Sequence, residues 1–173
     1  MIEQALQSPL MKWQEKTYKK QEFLTHAGEV EKHIYFIISG AFRAFTEVDD
    51  EEFTIRFGYK NSIITSLPSY FNNQPSETYI QAIRKSKVLY CAKKEFEVFL
   101  ASEPTHLKAY KKILEDLVSS LLEREIDLMQ NSPARRLERV LKRSPQLFQE
   151  VPHKYIAAYL RMSPETLSRL LYS

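Results

Sequence analysis

The chain has 173 residues, of which 43% are hydrophobic and 27% charged, with a formal net charge of +3 at pH 7. These proportions are typical of a globular protein with one large or two small domains. No run of about 18 apolar residues is present, which excludes a membrane-spanning helix. The N-terminus also lacks the basic and then apolar pattern of a signal peptide. We therefore expect a cytoplasmic protein.

Cysteine and histidine usage argues against metal or redox chemistry. The single cysteine, Cys91, excludes an internal disulfide and a cysteine-ligated cluster, and its apolar surroundings favour a buried strand position. The chain has neither a glycine-rich phosphate loop nor a nucleophile elbow. We expect no metal, no cofactor and no catalytic site, and a cupin-like metalloenzyme is the alternative. The four histidines are widely separated: His26, His33, His106 and His153.

The N-terminal two-thirds of the chain predicts a short helix followed by many strands. Residues 2–16 place Ile2, Leu6, Leu10 and Trp13 on one side of an amphipathic helix. Short segments rich in β-branched and aromatic residues follow, with turn signals between them, and they indicate an antiparallel double-sheet jelly roll. We expect a positive φ at each of the three glycines, which all lie in predicted turns. The predicted strands are residues 22–25, 33–38, 41–47, 52–57, 62–66, 78–82 and 87–91.

A long helix is predicted after the barrel. Residues 93–102 predict a short closing helix, and residues 105–130 contain neither glycine nor proline. Two apolar stripes run along this segment, and a core helix within one chain is the alternative interpretation. The second stripe is predicted to pack on the barrel: Ile113, Val118, Leu122, Ile126 and Met129. The first stripe has three- and four-residue spacing and predicts the contact between two copies of the chain: Leu107, Tyr110, Leu114, Leu117, Leu121 and Leu128.

The C-terminal segment is basic and begins at a predicted hinge over residues 131–133. Ser132 is the predicted N-cap of a helix over residues 133–143. Residues 132–173 contain eight Lys/Arg and three Asp/Glu, whereas residues 1–131 contain 17 and 19. A basic segment on a near-neutral body is what contact with phosphates requires, although a solvated helix face has the same composition.

The last twenty residues predict two short helices joined by a tight turn. The first, over residues 153–160, buries Ile156, Ala157 and Leu160. Ser163 is the predicted N-cap of the second helix, with Pro164 at its first position. This arrangement is typical of a helix-turn-helix, and an ordinary helical hairpin is the alternative. The second helix is predicted to bury Leu167, Leu170 and Leu171 and to expose Glu165, Thr166, Ser168 and Arg169.

The segment VPHKYIAAYLRMSPETLSRLL resembles the helix-turn-helix of the CRP/FNR transcription regulators, and the resemblance continues upstream through SPARRLERVLKRSPQLFQEVP. Residues 32–43 resemble the first half of that family's cyclic-nucleotide-binding barrel. The resemblance implies an α+β fold: an antiparallel jelly-roll barrel over residues 1–103, a long dimerisation helix over 104–131 and a helix-turn-helix domain over 132–173. It further implies a homodimeric, sequence-specific transcription regulator.

The resemblance also implies partners and DNA contacts. The partners would be double-stranded DNA, a second copy of the chain, RNA polymerase and an unidentified small-molecule effector, with no membrane. Glu165, Thr166 and Arg169 match residues that face DNA in the family. We add Ser168 to this set because it lies on the same predicted face. The residues expected near DNA phosphates are Lys154, Arg161 and Ser163.

Two features depart from the family pattern. Arg161 occupies a turn position where glycine is usual, so it must either avoid a positive φ or tolerate its cost. The chain ends two residues after Leu171, so we expect the helix-turn-helix to lack a full β-hairpin wing and to bind less tightly. These departures motivate an alternative function, a small-molecule-sensing or protein-interaction module with a vestigial DNA reader.

The nucleotide pocket also departs from the family pattern. In cyclic-nucleotide members a Gly-Glu pair holds the ribose, and an arginine followed by a small hydroxyl residue holds the phosphate. Our alignment puts Asn61 and Ser62 at the first pair and Ser76 at the arginine, beside Glu77. Loss of a bidentate phosphate clamp removes the strongest contact of such a site, so we expect no ordinary cyclic AMP binding. Arg56 or Arg84 could hold another anion, and a solvated or paired surface arginine is the alternative for each. The candidate effector-pocket residues are Arg56, Ser62, Ser76 and Thr78.

Overall fold

The computed structural model describes residues 5, 6 and 8–172, and within them eight strands form two antiparallel four-stranded sheets. The strand orders are β1-β8-β3-β6 and β2-β7-β4-β5, which confirms the predicted jelly roll. All seven predicted strands are present, with bounds shifted by a few residues. The strands are β1 (Gln14–Tyr18), β2 (Phe23–Thr25), β3 (His33–Ser39), β4 (Ala41–Val48), β5 (Glu51–Tyr59), β6 (Ile63–Ile64), β7 (Tyr79–Ala82) and β8 (Ser86–Ala92).

Seven named helices complete the described part of the chain. The first lies between β6 and β7, and the other six follow the barrel. No helix in the described ranges is long and apolar enough to cross a membrane. The helices are α1 (Leu67–Asn72), α2 (Lys93–Ser102), α3 (Pro104–Leu128), α4 (Pro133–Arg143), α5 (Leu147–Glu150), α6 (His153–Tyr159) and α7 (Pro164–Tyr172).

The predicted N-terminal helix over residues 2–16 is wrong at its C-terminal end. Ile2 lies outside the described residues, but the segment from Gln14 onwards is strand β1 and pairs with β8. Tyr18 is buried against Phe42, with the two rings edge to face at a centroid distance of 5.6 Å. Pairing with a sheet edge supplies hydrogen bonds for the backbone, and this tertiary contact overrides the helical spacing of the apolar residues.

The glycines serve two different purposes. Gly28 and Gly40 have φ values of 87°, as predicted for turn positions. A Cβ at Gly40 would also lie only 2.5 Å from the Cα atom of Ser86, so no side chain fits there. Gly58 does not lie in a turn but inside β5, where a Cβ would lie 2.8 Å from Cδ1 of Ile37. Glycine is needed at this position because the two sheets pack closely there.

The C-terminal helices share a hydrophobic core with the barrel. Ala41 and Ile83 of the barrel lie in the same buried cluster as Ile156 and Leu160. Aromatic contacts extend this docking, because the rings of Phe57 on β5 and Tyr159 on α6 have centroids 5.5 Å apart. The C-terminal helices are therefore attached to the barrel along α6.

Two arginines of the barrel also contact the C-terminal helices. Arg43 on β4 is buried, and its guanidinium lies 4.9 Å from the Tyr155 ring centroid on α6. It also donates two hydrogen bonds to Gln81 and pairs with Glu52. A second ion pair joins Arg84 near the end of the barrel to Glu150 of α5. Arg84 is thus a paired arginine rather than an anion site.

The hinge between α3 and α4 is held by a buried carboxylate. Asp127 is only 1% exposed and pairs with Arg139, at a distance of 2.7 Å from Nε, and with Arg143. Glu123, one turn earlier on α3, pairs with both arginines. The Ser132 side chain accepts a hydrogen bond from the backbone N–H of Arg135, so the predicted N-cap of α4 is present.

The two apolar stripes of α3 lie on the opposite sides from those predicted. Tyr110 is buried with Phe96, and Leu114 packs against the same cluster, so the predicted dimer stripe faces the barrel over much of its length. Leu117 lines a cavity against the barrel. Only Leu107 and Leu121 of that stripe are exposed. Ile113 lines the same cavity, but the rest of the stripe predicted to pack on the barrel is exposed: Val118, Leu122, Ile126 and Met129.

Candidate functional site

The turn between α6 and α7 is closed by backbone hydrogen bonds. The N–H of Arg161 donates to the carbonyl of Ala158, and that of Met162 donates to Ala157. These two bonds form a Schellman motif, whose penultimate position requires a left-handed backbone. Arg161 has a φ of 50°, so it adopts the positive φ and tolerates its cost. The carbonyl of Arg161 accepts a hydrogen bond from Arg136.

Arg161→Gly will be more stable than Arg161→Ala by about 1 kcal/mol, because only the alanine retains a Cβ in the left-handed region. Both variants lose the contact of the guanidinium with Phe53, whose ring centroid lies 5.7 Å away. Their difference therefore isolates backbone strain. Urea unfolding followed by circular dichroism measures it, and equal midpoints and slopes for the two variants would contradict a strained turn.

Helix α7 begins at a side-chain cap. The Ser163 Oγ accepts a hydrogen bond from the Thr166 N–H at 3.1 Å, which confirms the predicted N-cap. Glu165 lies in the first turn, and hydrogen bonds from its own backbone N–H and from the Ser163 hydroxyl lower the pKa of its carboxyl. Glu165 is therefore ionised at neutral pH and acts there as a hydrogen-bond acceptor.

The predicted reading face is solvent-exposed along α7. Leu167 is fully buried beneath it, and Leu170 and Leu171 pack against the same core. Glu165, Ser168 and Arg169 are exposed, and Thr166 is half-buried. The three predicted phosphate contacts, Lys154, Arg161 and Ser163, are also exposed. The two helices thus present all seven predicted side chains at the surface of one compact unit.

Not every basic residue of this region is available for phosphates. Arg139 and Arg143 pair with Asp127, and Arg136 donates to the carbonyl of Gln130. Arg136 and Arg139 are therefore held at the hinge by these contacts. Arg135 and Lys142 are exposed.

The barrel contains a hydroxyl-lined cavity of about 390 Å³ beside α1. Ser66 at the start of α1 lies 2.7 Å from the Ser76 hydroxyl and 3.0 Å from that of Thr78, so these three hydroxyls satisfy one another. Among the residues that the structure describes, Glu77 is the only charged one that lines the cavity. Sequence reasoning missed Ser66, although its place just before a proline-containing helix start was a usable signal.

The predicted effector-pocket residues fall into two different places. Ser76 and Thr78 belong to the hydroxyl cluster beside α1. Arg56 and Ser62 instead line a cleft of about 350 Å³ between the barrel and α3. Our alignment of Ser62 with the ribose-binding pair is therefore wrong, because Ser62 belongs to the β5–β6 turn and bonds to the backbone of Tyr59. Ser66 is the residue that contacts Ser76.

The histidine, cysteine and acidic side chains of the described ranges are dispersed, and the one cysteine among them is buried. These ranges contain no group of three or more His, Cys, Asp or Glu side chains arranged to hold a metal ion. Cys91 is buried, and burial raises the pKa of its thiol to about 12. The thiolate form that reacts with oxidants is thus scarce at neutral pH.

Residues 15–103 match the family model described as "Cyclic nucleotide-binding domain", which is about half of the chain. A comparison with curated protein sequences finds no significant match. The matched residues comprise the eight strands, α1 and α2.

Solved structures extend the similarity to the C-terminal helices. A variant of CooA from Carboxydothermus hydrogenoformans is 22% identical, with a TM-score of 0.74, over 92% of this chain and 74% of that one. FixK2 from Bradyrhizobium japonicum is 16% identical, with a TM-score of 0.79, over 93% and 83%. CLP from Xanthomonas campestris, described as a c-di-GMP-responsive global regulator, is 14% identical, with a TM-score of 0.73 and 92% and 84% coverage. The chain therefore belongs to the cyclic nucleotide-binding domain family, and its barrel, long helix and C-terminal helices have the fold of these solved structures.

Proposed function

We propose that this protein is a homodimeric transcription regulator that reads DNA sequence through α7. The observation that carries the proposal is the exposed polar face of a serine-capped helix, supported from behind by the core shared with the barrel. A helix presented in this way fits the major groove, whose base edges carry a distinct pattern for each base pair.

The chemistry of the exposed side chains suits base reading. Arg169 can donate two hydrogen bonds to guanine, and Glu165 can accept one from the amino group of cytosine. Ser163 and the first-turn N–H groups of α7 can hold a phosphate at the helix start. Lys154 is exposed near the start of α6, and we assign it to a further phosphate. Phosphate contacts of this kind position the protein without selecting a sequence.

The exposed stripe of α3 supports a dimer formed by a second copy of the chain. Leu107, Val118, Leu122 and Met129 recur at spacings of 11, four and seven residues, so they share one helix face. Their exposed fractions lie between 55% and 68%. Burial of such a stripe against its own copy is a usual solution for a long helix, and a two-fold symmetric dimer would pair two readers.

The pocket beside α1 supports a regulator that does not bind cyclic AMP. Its hydroxyl groups are satisfied by each other, and Glu77 would repel a cyclic phosphate. Within residues 8–172, no arginine or lysine lines this cavity. Isothermal titration with cyclic AMP is expected to show no binding at millimolar nucleotide.

Arg169→Ala is expected to reduce discrimination at one base pair of each half-site by about 1–3 kcal/mol, because the bidentate contact to guanine is lost. Selection from a randomised duplex pool with purified protein measures this preference. Lys154→Ala is the matched variant, since it removes one charge that we assign to a phosphate. It should weaken all sequences alike and reduce the slope of log affinity against log salt by about one. An unchanged half-site preference in Arg169→Ala would contradict the assignment.

A further inference from the structure

Two arginines in the cleft between the barrel and the C-terminal domain have no carboxylate partner in the described part of the chain. Arg56 lies on β5, and Arg124 lies on α3. The nearby Arg43, Arg139 and Arg143 all pair with Asp or Glu. The cleft therefore contains positive charge that the described protein groups do not neutralise.

Each of the two guanidinium groups is partly buried from solvent. Arg56 is half-buried and donates one hydrogen bond, to the carbonyl of Ile63 at 3.3 Å. Arg124 donates to the carbonyl of Thr54 at 2.7 Å, but its buried Nε has no hydrogen-bond partner. Burial lowers the pKa of both groups, yet arginine remains charged at neutral pH. Buried charges in proteins are normally paired, so an anionic ligand would satisfy an existing need.

The two cavities in this cleft differ in character. The smaller one, of about 130 Å³, is lined by Arg56 and Arg124 together with the hydroxyl-bearing side chains of Ser144 and Tyr159. The larger one, of about 350 Å³, continues between β6 and α3, and its lining includes Ile63, Leu67, Ile113 and Leu114. Both cavities share Arg56, Leu117 and Ser120, so they adjoin.

Two further groups in the larger cavity bear on its ligand. Tyr110 lines it and carries a buried hydroxyl without a hydrogen-bond partner. Asp116 is the acidic residue of the lining, and its carboxylate is held by Lys112 at 2.7 Å on the exposed surface of α3. The negative charge is thus already paired at the rim.

We propose that this cleft binds a small organic anion whose phosphate or carboxylate head lies between Arg56 and Arg124 and whose apolar body fills the larger cavity. Guanidinium groups bind both kinds of oxyanion through charge-assisted hydrogen bonds. The site is separate from the hydroxyl-lined pocket beside α1, which has no cation in its lining.

A ligand in this place would contact three parts of the fold. Arg56 belongs to the barrel, Arg124 to the long helix, and Tyr159 to the first helix of the reading pair. The guanidinium of Arg124 already lies 4.8 Å from the Tyr159 ring centroid. Since a ligand stabilises the state that binds it, an occupied cleft would strengthen the attachment of the C-terminal helices to the barrel. Anion binding itself requires no DNA and does not depend on the proposed DNA reading.

Calorimetric titration of the full chain with three probes tests the proposal. Inorganic phosphate presents the head alone, octyl phosphate adds an apolar body, and nonanoate carries a carboxylate on the same eight-carbon tail. We expect octyl phosphate or nonanoate to bind more tightly than inorganic phosphate, and since the two share a tail, whichever binds more tightly identifies the head. Arg56→Gln and Arg124→Gln should each lower the affinity by about tenfold or more, because a hydrogen bond to a charged group is lost.

Arg135→Gln is the matched control, because Arg135 is exposed on α4 and does not line the cleft. It should bind the probes like the unmodified protein. Thermal melts establish that each variant is folded. If Arg124→Gln weakens the packing of the helices, Arg56→Gln still tests the contribution of a cleft arginine to anion binding. Failure of all three probes to bind at millimolar concentrations would overturn the proposal. Equal affinities in both cleft variants and the unmodified chain would do so as well.

Discussion

Replacing Asp127 with alanine will lower the free energy of unfolding by about 2–4 kcal/mol. The carboxylate is 1% exposed and accepts charge-assisted hydrogen bonds from Arg139 and Arg143. Without Asp127, the described acidic partner of Arg139 and Arg143 is Glu123, whose side chain is 48% exposed. The arginine side chains are 39% and 26% exposed, so water can partly replace the lost contacts, and the expected cost lies below that of a fully buried pair.

The measurement is equilibrium unfolding in urea, followed through both backbone circular dichroism and tyrosine fluorescence. Asp116→Ala is the control, since Asp116 lies on the same helix but forms an exposed pair with Lys112. Its effect on stability should be small, because exposed pairs contribute little. A cost for Asp127→Ala no larger than that for Asp116→Ala would show that the hinge is not held by this carboxylate.

The strands and the C-terminal helices could be predicted because local chemistry dictates them. Apolar residues alternate along β5, and Ser132 and Ser163 both cap the helices expected of them. Even Arg161 follows from local rules, since a helix that ends in a Schellman motif needs one left-handed residue. Such features depend on neighbours within about four residues in the chain.

The covered face of α3 could not be predicted in this way. Both of its stripes have helical spacing, and periodicity alone does not tell which stripe meets the barrel. Tyr110 decides the matter through its contact with Phe96, a residue on a different helix. The predicted dimer stripe was therefore assigned to the wrong side, and the stripe containing Leu122 remains exposed.

Buried charge was also hidden from the sequence. Arg43 is a charged residue within the predicted strand over residues 41–47, but it is buried between Gln81, Glu52 and the rings of Phe45 and Tyr155. Gln81 and Tyr155 come from distant parts of the chain, so no local pattern predicts these contacts. The same reason explains why Arg124 and Tyr159 were absent from the predicted effector pocket, although both line the cleft that contains Arg56.

Replacing Leu122 with aspartate is expected to convert a dimer into a monomer and to lower affinity for a two-fold symmetric DNA site by about a hundredfold or more. Leu122 is 61% exposed at the centre of the free stripe of α3, so the change leaves the fold of one chain intact. In a dimer two aspartates would lie across the seam, where burial and mutual repulsion both oppose association. A monomer has a single DNA-reading helix, so it lacks the added affinity that a dimer obtains by binding two linked half-sites.

Analytical ultracentrifugation gives the mass, and titration of a fluorescent duplex gives the affinity. Val98→Asp is the matched control, because Val98 on α2 is similarly exposed, at 57%, and lies outside the stripe. If Leu122→Asp is a monomer and still binds a single half-site weakly, then the change has removed dimerisation and has left DNA recognition intact. If the Leu122→Asp protein remains dimeric, the dimer interface does not include this stripe of α3. If the unmodified chain is already monomeric, the proposed homodimer is wrong.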